Sequence, residues 1–343
     1  MELNEFKAKL KSGDLRGCYV FAGEEDYLKK YYMAELRRAV ITDESFAPFN
    51  HTVYDGAEVN FAKITDDLKS PPMFEPYKLV EWKFPSFNKM KESDLAALEG
   101  VLDLIEEYEY AVLSFIVEEE ELDLGTPKKE SKFVKRFGKR INVLNFKRST
   151  DAQLQSWLKK HFDAEGIQVD LETVNAMLFR CGHAMSTLAN EVDKLVALAK
   201  MRGLSRITPA EINEAASSTP ECDTFALSNA ILERNKREAF AALGEMKHRR
   251  LDPSMILGMM ARTYSDLVTV SMMLKEGMGQ TDIEQALKIN PYKLKLYVKQ
   301  ARSAFTPEKA VRILEELSRT DTAMKYGGIT GYTALELFIS KCV

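Results

Sequence analysis

The chain has 343 residues, of which 45% are apolar and 29% are charged, with 48 basic residues against 52 acidic ones. This length exceeds what one hydrophobic core usually serves, so we expect two or three domains of roughly 100 to 150 residues each. The apolar and charged fractions are those of a folded chain, which excludes general disorder.

No apolar run is long enough to cross a membrane, which takes roughly 18 or more consecutive apolar residues. The longest candidate, Tyr110 to Val117, has eight residues and contains Ser114. Residues 1–11 alternate Lys and Glu with Leu and Phe, a pattern that predicts an amphipathic helix and not an export signal. We therefore expect a cytoplasmic protein with no membrane partner.

The first 145 residues alternate strand-like runs with helical patterns. The run Gly17–Ala22 is apolar throughout and ends at Gly23, after which residues 24–40 place apolar side chains at helical spacing. Further strands are predicted at 51–54, 78–84, 110–117 and 140–146, and helices at 61–69, 92–107 and 130–138. Strands that are apolar on both faces and joined by crossover helices predict a parallel sheet covered on both sides. The fold class expected here is α/β.

From Ser149 onward the strand signal disappears and helix starts become explicit. Thr208 with Glu211 has capping-box spacing, and Pro209, Pro253 and Pro307 each follow a capping residue. Glycines end three predicted helices between residues 150 and 202, and residues 208–343 read as five or six more. We predict domain boundaries near residues 146 and 211, giving segments 1–146, 147–211 and 212–343.

A nucleotide site, if present, would follow the first strand. A phosphate-binding loop needs the pattern GxxxxGK followed by Ser or Thr, whereas residues 23–26 read Gly-Glu-Glu-Asp. Three carboxylates at a helix N-terminus repel a nucleotide's phosphates. Residues 118–121, four consecutive glutamates, follow the fourth strand where a magnesium-binding acid would lie, and we interpret them as an acidic edge without a partner. We expect no nucleotide cofactor.

Other catalytic patterns are absent. The cysteines and histidines are scattered, so neither a disulfide framework nor a CxxC metal site is suggested. Cys181 and His183 are too close together for a zinc site, and we predict a buried thiol beside a surface imidazole. No GxSxG motif occurs. We expect no catalytic residue, no metal and no covalent chemistry by this chain alone.

Several segments, in order along nearly the whole chain, resemble the delta subunit of the bacterial DNA polymerase III clamp loader. These are the residues 19–28, 55–56, 72–74 with 78–80, Leu154 with Trp157 and Leu158, 190–195, 207–208, 225–231, and Asp321 with Lys325. The resemblance implies a degenerate AAA+ module over 1–146, a three-helix lid over 147–211 and a helical collar over 212–343, through which five subunits assemble.

The resemblance also implies partners. In the family this subunit binds the beta sliding clamp and opens its ring on primed DNA, in a hetero-oligomer with gamma/tau and delta-prime subunits, while neighbouring subunits hydrolyse ATP. The DNA polymerase (nucleotidyltransferase) activity belongs to the holoenzyme.

The segment 66–77 is the expected clamp-binding element. Pro71 disfavours continuation of the helix, which should end near Lys69 or Ser70 and present Pro72, Met73 and Phe74 at its tip. The family's two clamp-contacting apolar residues map to Met73 and Phe74, with Leu68 beside them. The alternative is that Met73 and Phe74 simply cap the α/β core.

Two further patterns have open interpretations. Basic residues surround Phe133, Val134 and Phe137, and they form either a phosphate-tracking surface or the solvated face of an amphipathic helix compensated by residues 118–121. These are Lys128, Lys129, Lys132, Lys135, Arg136, Lys139 and Arg140. Methionines at helical spacing are more often core than partner surface. They are Met246, Met255, Met259, Met260, Met272 and Met273.

Two alternatives to a clamp-loader subunit make different predictions. A divergent AAA+ ATPase would bind nucleotide as an isolated chain. A stand-alone nucleic-acid adaptor would bind DNA in a salt-dependent manner without any clamp, although the near-neutral total charge argues against it.

Overall fold

The computed structural model describes residues 1–126, 129–303 and 305–343, without the side chain of Thr126, and it divides the chain into two compact units. The first unit is Met1–Thr150 and the second is Asp151–Val343. The first is an α/β domain and the second is helical, as the sequence predicted.

A five-stranded parallel sheet forms the centre of the first unit, in the order β2-β3-β4-β1-β7. A short antiparallel pair, β5 with β6, lies outside it. The strands are β1 Gly17–Ala22, β2 His51–Asp55, β3 Lys78–Lys83, β4 Ala111–Ile116, β5 Gly125–Thr126, β6 Lys129–Glu130 and β7 Ile141–Asn145. The five predicted strands are therefore confirmed.

Six α-helices accompany these strands among the described residues of the first unit. They are α1 Leu3–Ser12, α2 Asp26–Val40, α3 Ala47–Asn50, α4 Phe61–Lys69, α5 Glu92–Glu107 and α6 Lys132–Phe137. The alternation of side chains along a strand distributes β1 between two cores. Val20 packs with residues of α4, α5 and α6, whereas Phe21 packs with residues of α1 and α2. Both faces of the sheet are covered, which explains why its strands are apolar throughout.

In the second unit, the described residues form helices and their connections, with no strand pairing beyond an isolated bridge between Gln168 and Arg206. The helices are α7 Asp151–Ala164, α8 Leu171–Cys181, α9 Met185–Arg202, α10 Pro209–Ala215, α11 Pro220–Leu232, α12 Lys236–His248, α13 Pro253–Lys275, α14 Gln280–Leu287, α15 Pro291–Arg302, α16 Pro307–Tyr326 and α17 Gly331–Cys342. The predicted capping box of Thr208 and Glu211 is formed.

The prediction of five or six helices after residue 208 was too low, because the described residues there form eight. One break that the pattern hides separates α11 from α12. It occurs at Arg234, which adopts a left-handed backbone with φ of 56°, and Asn235 then caps α12. Neither residue is Gly or Pro, the residues that most strongly mark a helix end in a sequence.

The methionines divide between core and surface. Met246 and Met260 are fully buried, as predicted, whereas Met255 and Met272 are exposed. The core expectation was wrong for the second pair, which are not among the buried residues of α13.

Within the described residues, no helix has both the length and the hydropathy that a bilayer span requires.

Candidate functional site

The loop after β1 is where a nucleotide would bind in a sheet of this kind, and here it is packed against the end of β7. Gly23 has φ of +103°, and a Cβ at this position would lie 2.4 Å from the carbonyl oxygen of Phe146. The backbone N–H of Glu25 donates to the same oxygen at 3.0 Å. The loop backbone is therefore turned toward the protein.

Charged side chains in and directly after this loop also make intramolecular hydrogen bonds and ion pairs. Lys29 is buried, and its Nζ donates to the Val117 carbonyl oxygen at 2.9 Å and lies 2.8 Å from Asp26 Oδ1. Burial raises the pKa of the Glu25 carboxyl, against the opposing effect of the Ser149 backbone N–H and the Arg148 guanidinium. Lys29, in the first turn of α2, is thus a structural cation that holds the segment directly after β4.

The cavity beside Gly23 has a volume of about 190 Å³ and is lined in part by the carboxylate-bearing Glu24 and Glu119. Sites for small ligands usually measure roughly 300 to 1,000 Å³. The space is therefore smaller than such sites, and two of its three charged lining residues are acidic, the third being Lys147.

The acidic segment after β4 differs from its prediction. The Glu121 carboxylate accepts a hydrogen bond from the Ser86 hydroxyl and lies 3.5 Å from Lys89 Nζ. The interpretation of residues 118–121 as an edge without partners was thus wrong for Glu121. The partners come from the segment after β3, which a local pattern does not reveal.

The predicted clamp-binding segment lies at the opposite edge of the sheet. Helix α4 ends at Lys69, as predicted, and residues 70–77 then lead into the amino end of β3. Because the five strands are parallel, this edge is the one farthest from the Gly23 loop, which follows the carboxyl end of β1. We call residues 70–76 the tip.

The tip exposes its two apolar side chains. Met73 is 45% exposed and Phe74 is 79% exposed, while Pro72 is half-buried. Leu68 differs, because its side chain is 0% exposed and belongs to the core that packs against the sheet. Leu68 therefore anchors the end of α4 from below and is not part of the exposed surface, contrary to the expectation that it lies beside Met73 and Phe74 there.

The backbone of Phe74 is strained. Its φ is 61°, in the left-handed region that costs a residue other than glycine roughly 1 to 2 kcal/mol. The ring rests on Phe46, with centroids 4.8 Å apart and planes tilted by 33°. A large apolar side chain that is both exposed and strained contributes little to folding, and such outliers favour a functional role.

Two buried polar residues hold the tip, and neither was predicted from the sequence. Asn50 is fully buried at the end of α3, and its side chain bonds the backbone of Met73 on both sides. Glu75 is also buried and accepts hydrogen bonds from Thr42 and Asp43. The only local signal is that each is a polar residue next to apolar ones, which does not identify a partner so far along the chain.

Two family models match this chain. One, described as DNA polymerase III, delta subunit, matches residues 19–147, and the other, described as DNA polymerase III delta subunit, C-terminal domain, matches residues 221–342. Together they span more than two thirds of the sequence. The chain belongs to the DNA polymerase III delta-subunit family.

Individual relatives agree with this assignment. DNA polymerase III subunit delta of Bacillus subtilis (strain 168) is 27% identical over 340 residues, covering 96% of this chain and 94% of the relative. The probable DNA polymerase III subunit delta of Aquifex aeolicus (strain VF5) is 22% identical over 315 residues, covering 90% of this chain and 85% of the relative.

A solved structure has a similar fold. The Bacillus subtilis DNA clamp loader delta protein superposes with a TM-score of 0.54 at 23% identity, covering 99% of this chain and 98% of that one. The fold of this delta-family chain, an α/β unit followed by helices, is thus shared along its whole length.

The positive charge of the predicted basic face in this delta-family chain is partly neutralised by carboxylates of α5. Arg136 and Arg140 both bind carboxylates of α5, with distances of 2.8 Å from Arg136 Nε to Glu99 and 2.6 Å from Arg140 Nε to Glu106. The expectation that residues 118–121 supply the compensating charge was therefore wrong. Helix α5 supplies it because α5 and α6 pack on the same face of the sheet.

The two interpretations of the predicted basic face can be compared only for its described residues. Lys128 lies outside the described residues. The two arginines are fully engaged, which favours the amphipathic-helix interpretation over a phosphate-tracking surface for the part of the face that they form.

The predicted inert Cys181 and surface His183 are confirmed. The Cys181 thiol is buried, and burial raises its pKa to about 12. The His183 ring is exposed and lies 3.3 Å from an Asp151 carboxylate oxygen. No group of three or more His, Cys, Asp or Glu side chains in the described part of this delta-family chain is arranged to hold a metal ion.

Proposed function

We propose that this chain is the clamp-opening subunit of a DNA polymerase III clamp loader, binding the beta sliding clamp without hydrolysing ATP itself. The observation that carries the proposal is the exposed, strained pair Met73 and Phe74 at the tip. Family membership supports the same assignment.

The tip has the chemistry of a protein-binding anchor. Aromatic side chains and methionine are enriched at the centres of protein interfaces, and burying each contributes roughly 1.5 to 3 kcal/mol. Phe74 is held away from its own core, so its apolar surface is available to a pocket on another protein. A hydrophobic pocket on the clamp is the proposed receptor.

Opening a closed ring requires more than binding it. A ligand shifts an equilibrium between two conformations only by its difference in affinity for them. We therefore infer that the tip binds the clamp in the distorted conformation of an open interface more tightly than in the closed one. Binding energy then takes the role that hydrolysis has in the neighbouring subunits.

The Gly23 loop supports the absence of hydrolysis by this chain. Its backbone faces the protein, Lys29 at the start of α2 is buried against the segment after β4, and the cavity beside Gly23 is small. A phosphate-binding loop instead directs backbone N–H groups and a lysine at the phosphates.

The remaining residues are proposed to serve assembly. We infer a lid over 147–211 and a collar over 212–343 that joins gamma/tau and delta-prime subunits in a cytoplasmic hetero-oligomer on primed DNA. Lys295 of α15 lies 2.6 Å from Glu172 of α8, and Asn290 donates to the Asn175 carbonyl oxygen. These contacts would tie the lid to the collar.

The test of ring opening compares two forms of the clamp. The wild-type chain is titrated against the closed clamp ring and against a clamp whose subunit interfaces have been weakened by mutation, so that it is monomeric. We expect at least tenfold tighter binding to the monomeric form, because no interface has to be broken. Surface plasmon resonance gives both affinities. Equal affinities would show that the chain binds the ring without opening it.

The test of nucleotide binding is a calorimetric titration of the isolated chain with Mg-ATP. We expect no measurable binding at millimolar nucleotide, because Lys29 is held by intramolecular contacts and the cavity beside Gly23 is small. A catalytic relative with an intact phosphate-binding loop is the positive control. A saturable heat would instead favour the divergent ATPase.

A further inference from the structure

We propose that Asn50 and Glu75 are positioning residues that hold the tip in its binding conformation before the clamp arrives. The inference rests on the proposed function and deepens it, because it assigns the segment 42–50 to the same apparatus as the tip. Neither side chain needs to contact the clamp.

Asn50 satisfies both backbone groups of Met73. Its Nδ2 donates to the Met73 carbonyl oxygen and its Oδ1 accepts from the Met73 N–H, each at 2.7 Å. The side chain is 0% exposed, so water does not compete for these bonds. The backbone of the exposed Met73 is thus held in place by the fully buried side-chain amide of Asn50.

Glu75 fixes the other side of Phe74. Its carboxylate accepts from the backbone N–H groups of Thr42 and Asp43 at 2.8 Å each and from the Thr42 hydroxyl at 2.8 Å. Burial raises the pKa of Glu75, but the hydrogen bonds from Asp43 and Thr42 outweigh it and hold the pKa below its ordinary value. The carboxylate therefore stays ionised and remains a pure acceptor at neutral pH.

Phe74 lies between Met73, which Asn50 holds, and Glu75, which the 42–43 backbone holds. Its own backbone is therefore not free to relax. A left-handed phenylalanine on a free loop would return to negative φ and swing its ring away from Phe46. The strained conformation persists only where the surrounding structure determines it, which is what the Asn50 and Glu75 contacts do.

Preorganisation of this kind has a kinetic signature. When only a fraction of the free protein has the competent conformation, the apparent affinity falls by that fraction. The loss then appears in the association rate, because the complex, once formed, makes the same contacts. Truncating an anchor such as Phe74 removes contacts from the complex and so raises the dissociation rate.

The experiment measures association and dissociation rates of the full chain on the immobilised cognate clamp. For Asn50→Ala we expect an association rate about tenfold lower and a dissociation rate changed by less than about twofold. For Glu75→Gln, which keeps one carbonyl acceptor, we expect a smaller loss of the same kind. Phe74→Ala is the contrasting variant.

Asn88→Ala is the matched control. Asn88 also donates to and accepts from the backbone, but it is exposed and bonds two residues of another loop: its Nδ2 donates to the Glu120 carbonyl oxygen at 2.7 Å and its Oδ1 accepts from the Asp123 N–H at 3.2 Å. We expect clamp kinetics unchanged from wild type. A loss equal to that of Asn50→Ala would show that any loosened loop has this effect, which would overturn the assignment.

Hydrogen exchange of the free chain tests the positioning without any clamp. The Met73 amide should exchange at least tenfold faster in Asn50→Ala than in wild type, while Asn88→Ala leaves it unchanged. If Asn50→Ala fails to fold, Glu75→Gln and Thr42→Val, which removes only the hydroxyl, provide the same two readouts at the other fixed point. There the Asp43 amide reports the loss.

The outcomes separate this inference from the proposed function. If Phe74→Ala abolishes binding while Asn50→Ala and Glu75→Gln keep the wild-type association rate, the positioning role is overturned and the clamp-binding tip stands. If Phe74→Ala binds like wild type, the proposed function fails, and with it the inference, even where the amide of Met73 loses its protection.

Discussion

Replacing Met73 and Phe74 together by Ala is expected to weaken clamp binding at least about a hundredfold. Each side chain contributes roughly 1.5 to 3 kcal/mol when it is buried, and about 1.4 kcal/mol corresponds to a factor of ten. The two therefore account for roughly 3 kcal/mol or more, which is the range of interface hot spots. Surface plasmon resonance on the immobilised clamp measures the change, mostly as faster dissociation.

The same double variant is expected to keep its stability. A core Phe replaced by Ala costs roughly 3 to 5 kcal/mol, but Phe74 is 79% exposed and its backbone is strained. We expect a change in unfolding free energy below about 1 kcal/mol by chemical denaturation. A large loss of stability would mean that the pair caps the α/β core after all.

Phe84→Ala is the matched control for this variant. Phe84 also has a left-handed backbone, with φ of 59°, and is 38% exposed, but it follows the carboxyl end of β3 at the other edge of the sheet. Met201→Ala, at an exposed methionine of the helical unit, completes the pair. Both controls should bind the clamp as the wild type does. Binding lost equally in all variants would contradict a specific role for the tip.

Gly23→Ala is expected to destabilise the first unit by about 2 to 4 kcal/mol, the largest effect on stability that we predict. The added Cβ would lie 2.4 Å from the Phe146 carbonyl oxygen and 2.6 Å from Asn145 Oδ1, and the φ of +103° is unfavourable for Ala. The neighbouring backbone belongs to the end of β7 and has little freedom to move. Thermal unfolding should shift downward by roughly 4 to 16 °C.

Gly56→Ala separates the two causes. Gly56 has φ of +129°, but a Cβ there would meet nothing within 4 Å. We expect a cost of about 1 kcal/mol from backbone strain alone. If Gly23→Ala costs no more than Gly56→Ala, then the loop can move away from β7, and the claim that its backbone is closed against the protein is wrong.

These predictions share one physical basis, which is the difference between the amino and carboxyl ends of the parallel strands. At the carboxyl edge, Gly23 and Lys29 are committed to internal contacts. At the amino edge, Met73 and Phe74 are displayed at some cost in backbone strain. In the proposed function, the binding surface therefore lies at the end of the sheet opposite to the Gly23 loop.

The sequence by itself determined the elements of both units. Continuous apolar strands, helical spacing and capping residues act over a few neighbouring positions, so the five strands of the sheet and the capped helices of the second unit were predictable. The end of α4 was predictable for the same reason, because Pro71 restricts the backbone of the residue before it. The break at Arg234 was not, since it lacks a local signal.

Only the tertiary structure decided how distant residues meet. The bond between Asn50 and Met73 spans 23 positions, and that between Glu75 and Thr42 spans 33. Arg136 found its acid 37 positions away on α5 and not in the nearer glutamates after β4. Local periodicity says that a residue is polar or apolar, but the choice of partner depends on which elements the crossover connections bring together. For that reason the burial of Leu68 and the exposure of Phe74, six positions apart, had to be seen in three dimensions.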